Sequence, residues 1–141
     1  MNDPLLIPVS PGELLDKKTI LEVKRVRIAD PEKLANVERE WALLAGIAQT
    51  LLAQVDPAAG IAKLEAELLE VNSAIWDLEN TVRACEKSGD FGAQFVATAR
   101  RIYSSNDHRA QVKRRINLLL DAAIVEEKEH DTSAAHGRPA A

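Results

Sequence analysis

The sequence predicts an all-α protein, an antiparallel helical bundle of about four helices with a long coiled-coil-like hairpin and a short extended N-terminal segment. Three observations lead there. Apolar residues recur at steps of three and four over long stretches, the period of a helix with one buried face. Helix-start punctuation repeats at Ser10-Pro11, Asp30-Pro31 and Asp56-Pro57. Six glycines and six prolines in 141 residues leave little material for a loop-built fold. At this length one soluble domain is expected, with a core that needs no staples.

Leu5-Leu6-Ile7-Pro8-Val9 reads as an apolar, extended lead-in, limited by Pro8 to an edge or a packed strap. Helix one is expected over 11–29. Ser10 caps it, Pro11 takes the first position where a missing N–H costs nothing, and Glu13 completes the spacing of a capping box. Leu15, Thr19, Glu22 and Val26 align on one side, with Glu22 among apolar neighbours, while Leu14, Leu21 and Ile28 form a second line. A helix apolar on two sides is wedged between elements or against a partner.

Helix two is expected over 31–55, where Leu34, Val37, Trp41, Leu44, Ala48, Leu51 and Val55 keep the helical rhythm. Helix three, over 57–87, repeats it with Ile61, Leu64, Leu68, Val71, Ile75, Leu78, Val82 and Cys85. Neither stretch alternates with period two, as a strand would. Two consecutive seams joined by an Asp-Pro turn predict that helices two and three form the long hairpin. Ser88-Gly89-Asp90 ends helix three and starts helix four, over 91–123, which could be interrupted at Ser104-Ser105-Asn106-Asp107. Residues 1–125 are expected as one helical domain. The polar run 126–141 has little to bury and is expected to be a disordered tail.

Composition narrows the function classes. With 18 basic and 22 acidic residues the net charge is -4, against a general nucleic-acid binder. No apolar run reaches membrane-spanning length. The single Cys excludes an internal disulfide, and Cys85 falls at a core position. Glu127 and His130 have the spacing of half a di-metal site but no second copy, so no metal is expected. No Gly-rich phosphate loop or nucleophile set points to a cofactor or catalytic class, and none is expected. The first residues lack the form of a secretory signal, so the expected location is cytoplasmic.

Charge is unevenly placed. Residues 58–90 hold three basic and seven acidic side chains, whereas 91–120 hold six and one. On helix four Phe95, Ala99, Ile102, Ile116 and Leu120 share a face with Asn106, Arg109, Lys113 and Asn117, while Arg100, Arg101, Arg114 and Arg115 point away. The inward stripe is therefore polar over about three turns. Buried cations need carboxylates, a bound anion or a wet cleft. Folding helix four back across Gly89 pairs residue i with about residue 178 minus i, placing Lys113 near Glu65, Asn106 near Asn72 and Arg109 near Leu69 and Asn72.

Several blocks carry a family resemblance. Val9-Ser10-Pro11-Gly12-Glu13-Leu14-Leu15-Asp16-Lys17 with Thr19-Ile20-Leu21-Glu22-Val23-Lys24 resembles the opening signature of a small bacterial family of unknown function. Trp76-Asp77-Leu78-Glu79 with Arg83, the stretch from Asn106 and Arg109 to Lys113 and Asn117, and Glu126-Glu127-Lys128 resemble its later blocks. The resemblance implies no activity, but its blocks contain the polar positions singled out by angle.

Two functions follow as expectations. One is a non-enzymatic interaction or accessory module that docks a protein partner or its own copy through helix one and the N-terminal strap, making a homo-oligomer plausible on area grounds. The other is a small enzyme or binding domain for an anionic metabolite. There Asn106, Arg109, Lys113 and Asn117 would hold the anion, and Glu22, Glu65 and Glu79 would serve as acid/base groups or ion-pair partners. The plain structural reading of the same residues is a satisfied ion network.

Overall fold

The computed structural model describes the backbone of residues 3–132 and the side chains of residues 3–121. Within these limits the chain is helical with short connections: α1 (Pro11–Arg27), α2 (Pro31–Leu52), a 3-10 turn (Pro57–Ala59), α3 (Ile61–Ser88) and α4 (Ala93–Thr132). The starts of α1 and α2 follow the punctuation: Ser10 Oγ accepts from Glu13 N and Asp30 from Lys33 N, satisfying backbone donors that a helix start leaves open. Asp56, expected to start helix three at 57, accepts from Ala58 N and caps only the 3-10 turn, and α3 begins at Ile61 after Gly60. Gly60 and Gly89 adopt the left-handed conformation, at φ 94° and 74°, and set the turns before and after α3. Residues 5–9 lead into α1 outside any regular element, and Ser10 at its start is extended.

Helix four runs unbroken through Ser104-Ser105-Asn106-Asp107 and on to Thr132, well past the expected end near residue 123. Glu and Lys in this stretch are good helix formers, and an established helix extends at little cost. Of the expected tail, residues 133–141 lie outside the described residues.

The pairing of the helices differs from the expected one. The antiparallel hairpin is α3 with α4, not α2 with α3. Arg109 meets Asn72, while His108 and Arg115 both meet Glu67, close to the register set by folding at Gly89. Helix α1 packs on α2, α3 and α4 and takes up the apolar stripe that α2 would otherwise have offered to α3. Only near their shared turn do the two seams converge, where Val55 and Ile61 enter one buried cluster with Leu14, Leu15, Leu64, Leu68, Val112, Ile116 and Leu120. The wedge position of α1 is therefore the one its two apolar lines require. Val26 departs from those lines and is exposed near the end of α1.

Burial along α3 follows the heptad reading, with Ile61, Leu64, Leu68, Val71, Leu78 and Cys85 all buried. In α2 only Val37 and Ala48 are fully buried. That helix is covered from one side, so much of its apolar surface faces outwards. No helix among the described residues is long and apolar enough to cross a membrane.

Candidate functional site

The polar part of α4 lies against the first two turns of α1. Gly12, Asp16, Thr19 and Val23 follow one another at helical spacing and are all buried. Opposite them stand Arg109, Lys113 and Asn117. Contact begins at Gly12, whose N–H donates to Asn117 Oδ1 at 2.7 Å. A Cβ on Gly12 would lie 2.5 Å from the Lys113 carbonyl oxygen, inside any tolerated contact. Only glycine lets the two helices approach so closely.

One turn on, Asp16 is the centre of a charge cluster, its side chain 5% exposed. Lys113 Nζ lies 3.5 Å from Asp16 Oδ2 and 2.9 Å from Glu13 Oε2. Arg109 Nε approaches Asp16 Oδ1 at 4.0 Å. Asn72 Nδ2 donates to Asp16 Oδ1 and to Thr19 Oγ1, each at 3.0 Å, and Thr19 donates in turn to the Leu15 and Asp16 carbonyls. Asn72 Oδ1 accepts from Arg109 Nη1 at 3.4 Å. Two cations thus meet two carboxylates, and every fully buried side-chain nitrogen or oxygen among the described residues has a partner. The hydrogen bond from Lys113 holds the Glu13 carboxyl below its ordinary range, against the opposing effect of partial burial.

A second cluster joins α1 to α2 and α3. Lys18 Nζ reaches Glu65 Oε2 at 2.7 Å and Glu22 Oε2 at 2.9 Å. Burial is the largest single influence on Lys18 and opposes its charge, yet the hydrogen bonds to Glu65 and Glu22 outweigh it and raise the pKa. Trp41 Nε1 donates to Glu22 Oε2 at 3.1 Å, and the Arg25 guanidinium sits over the Trp41 ring at 3.8 Å while pairing with Glu38.

The expected residues are therefore divided. Arg109, Lys113 and Asn117 come together, facing inwards, while Arg100, Arg101, Arg114 and Arg115 are exposed. Asn106 is half-buried one turn before Arg109 on α4. Glu65 pairs with Lys18 of α1 rather than the expected Lys113, which is engaged by Glu13 and Asp16. Glu22 belongs to the second cluster, and Glu79 pairs with Arg83 on its own helix. Asp16 and Gly12 were not among the candidates. Their signal was a line of small and polar residues in α1, parallel to its apolar lines and matching the polar line of α4. Cys85 is buried with its Sγ 3.9 Å from Gln94 Oε1, consistent with a core thiol. Among the described residues no three or more His, Cys, Asp or Glu side chains are grouped to hold a metal. Glu127 and His130 lie outside the residues whose side chains are described.

Two open regions flank these clusters. A trough of about 530 Å³ runs between the N-terminal strap and α2, lined by Leu5, Leu6, Ile7, Val9, Leu43 and Ile47 among others, with Lys17 its one charged residue. A smaller cleft of about 400 Å³ opens between α1, α3 and the Arg109 side chain, beside Trp76.

The arrangement can be set against known proteins. The model of a family of unknown function, DUF6165, matches residues 5–141, which takes in the strap, the Gly12–Asp16 turn and all of α4. The chain belongs to this family. No curated protein and no solved structure matches it. For this DUF6165 member, function is therefore argued from its own surfaces.

Proposed function

We propose that this DUF6165 protein is a non-enzymatic interaction module that associates with a second copy of itself through the strap and the outer face of α2. One observation carries the reading. Leu5, Leu6 and Ile7 are 94%, 90% and 72% exposed, and they stand beside exposed Leu43 and Ile47 around a single apolar trough. A contiguous apolar surface of this kind is costly in water and marks an interface. Its near lack of charge resembles the core of a permanent homodimer interface more than a transient, polar-rimmed encounter surface. A strap and helix face presented by each copy can also meet as one self-complementary patch about a two-fold axis.

The ion clusters support the same reading. Lys113 and Asn117, expected as anion ligands, already hold the start of α1. Their pairing leaves no charge that demands an added ligand there.

Sedimentation equilibrium provides the test. The native chain is expected at dimer mass, and Leu6→Asp, on an exposed strap residue, is expected at monomer mass with an unchanged helical circular dichroism spectrum. A monomeric native chain at about 100 μM, or a Leu6→Asp variant that stays dimeric, overturns the proposal.

A further inference from the structure

We propose that the cleft beside Trp76 binds a small carboxylate carried on an aromatic body, at a site separate from the apolar trough. The cleft has an apolar wall from Ile20 and Val23 of α1 and Ile75 of α3, with Trp76 beside them. A volume near 400 Å³ lies within the range of small-molecule sites. Partly buried Trp76 lines the cleft and brings a large aromatic surface to it.

The polar end of the cleft is Arg109. A guanidinium has five N–H donors. Among the described residues Arg109 uses one in a long 3.4 Å hydrogen bond to Asn72, and its Nε stands 4.0 Å from Asp16. Since every fully buried side-chain nitrogen among the described residues has a partner, the donors left over are accessible, and Arg109 lines the cleft. The side chain is 28% exposed, neither sealed in the core nor free in water. Asn72, itself buried and fixed by Asp16 and Thr19, steadies the guanidinium from behind. An oriented, partly desolvated guanidinium with spare donors is the group that recognises a carboxylate in two-pronged fashion.

The rim argues for a single negative charge. Arg83 adds a mobile cation, but Glu79 accepts its hydrogen bond at 3.3 Å and keeps the mouth close to neutral. Asp16 lies behind the guanidinium and is already held by Lys113. A phosphate dianion would meet the Glu79 carboxylate at the mouth with only partial compensation, whereas a monocarboxylate needs one guanidinium and an apolar resting place for its body.

The two tryptophans supply an internal control, because Trp41 lies in the other charge cluster, bonded to Glu22. The experiment is a titration of the 15N-labelled full chain with 3-phenylpropionate, following both indole N–H signals by NMR, with assignment from Trp41→Phe. The Trp76 signal is expected to move and saturate at about millimolar ligand, as befits a fragment-sized probe, while the Trp41 signal stays in place. The uncharged 3-phenylpropan-1-ol is expected to give no saturable shift. Arg109→Gln is expected to weaken binding about tenfold or more. Asn80→Trp, at an exposed position on the rim, is expected to block the cleft and abolish the response, and it keeps the test decisive if Arg109→Gln does not fold. No saturable Trp76 shift, equal movement of both indoles, an equal response to the alcohol, or an Asn80→Trp protein that titrates like the native one overturns the proposal.

Discussion

The seam between α1 and α4 and the face shared by the strap and α2 are opposites. The seam is polar and buried: Asp16, Asn72 and Lys113 meet there with their hydrogen-bonding groups matched, and the partly exposed Arg109 joins them at its edge. The face is apolar and exposed, and no group among the described residues covers Leu5, Leu6 and Ile7. Buried polar groups are costly unless partnered, so a completed cluster is explained by the fold that contains it. An exposed apolar patch has no such internal explanation and directs attention outwards. Charge in the interior is thus a feature of assembly here, and grease on the surface is the feature that suggests a task.

Substitutions in the seam sharpen this contrast by lowering stability in a graded order. Asp16→Ala is expected to cost the most, about 3 kcal/mol in urea unfolding, because it removes the buried carboxylate that Lys113, Arg109 and the Asn72 amide share and leaves Lys113 only the half-exposed Glu13. Gly12→Ala follows at about 1–3 kcal/mol. Its methyl group meets the Lys113 carbonyl, a backbone atom that cannot swing aside, so α1 and α4 must separate. Asn117→Ala removes one acceptor from the Gly12 N–H and is expected to cost about 1 kcal/mol. A negligible effect of Asp16→Ala would show that the seam is not holding α1 in place.

The smallest effect is one of pH. The folded-state pKa of Glu13 lies below its ordinary value of 4.5, chiefly through its hydrogen bond from Lys113. A depressed carboxylate contributes stability that is complete above the ordinary value and is lost as pH falls through the folded one. The melting-temperature difference between the native chain and Glu13→Gln is therefore expected to shrink as pH drops below about 4.5 towards 3. A difference that grows in acid would reverse the assignment. Since Glu13 is substantially exposed, the change is expected to be small.

Much of this was legible in the sequence, for identifiable reasons. Ser10 and Asp30 act locally, so the starts of α1 and α2 could be placed without knowing the packing, whereas Asp56 caps a 3-10 turn and α3 starts at Ile61, after the left-handed Gly60. Arg109 and Lys113 were placed inwards by helical angle alone, and the Gly89 turn gave the α3–α4 register because that connection is short. Pairing of α2 with α3 failed because it is a choice among competitors. The apolar stripe of α2 suits α1 as well as α3, and periodicity does not rank partners. The role of Gly12 was hidden because a helical glycine looks merely permissive until another backbone approaches it. Leu43 and Ile47 escaped notice because they lie off the main stripe of α2, on the side that lines the trough with the strap.

The central claim is that the seam builds the molecule and the apolar face joins copies of it. The most direct measurement is solution mass by light scattering for the native chain, Lys113→Met and Ile47→Asp at equal concentration, each below its melting temperature. The account predicts a dimer for the native chain and for Lys113→Met, and a monomer for Ile47→Asp. A monomeric native chain, or a dimer lost in Lys113→Met and kept in Ile47→Asp, would contradict it.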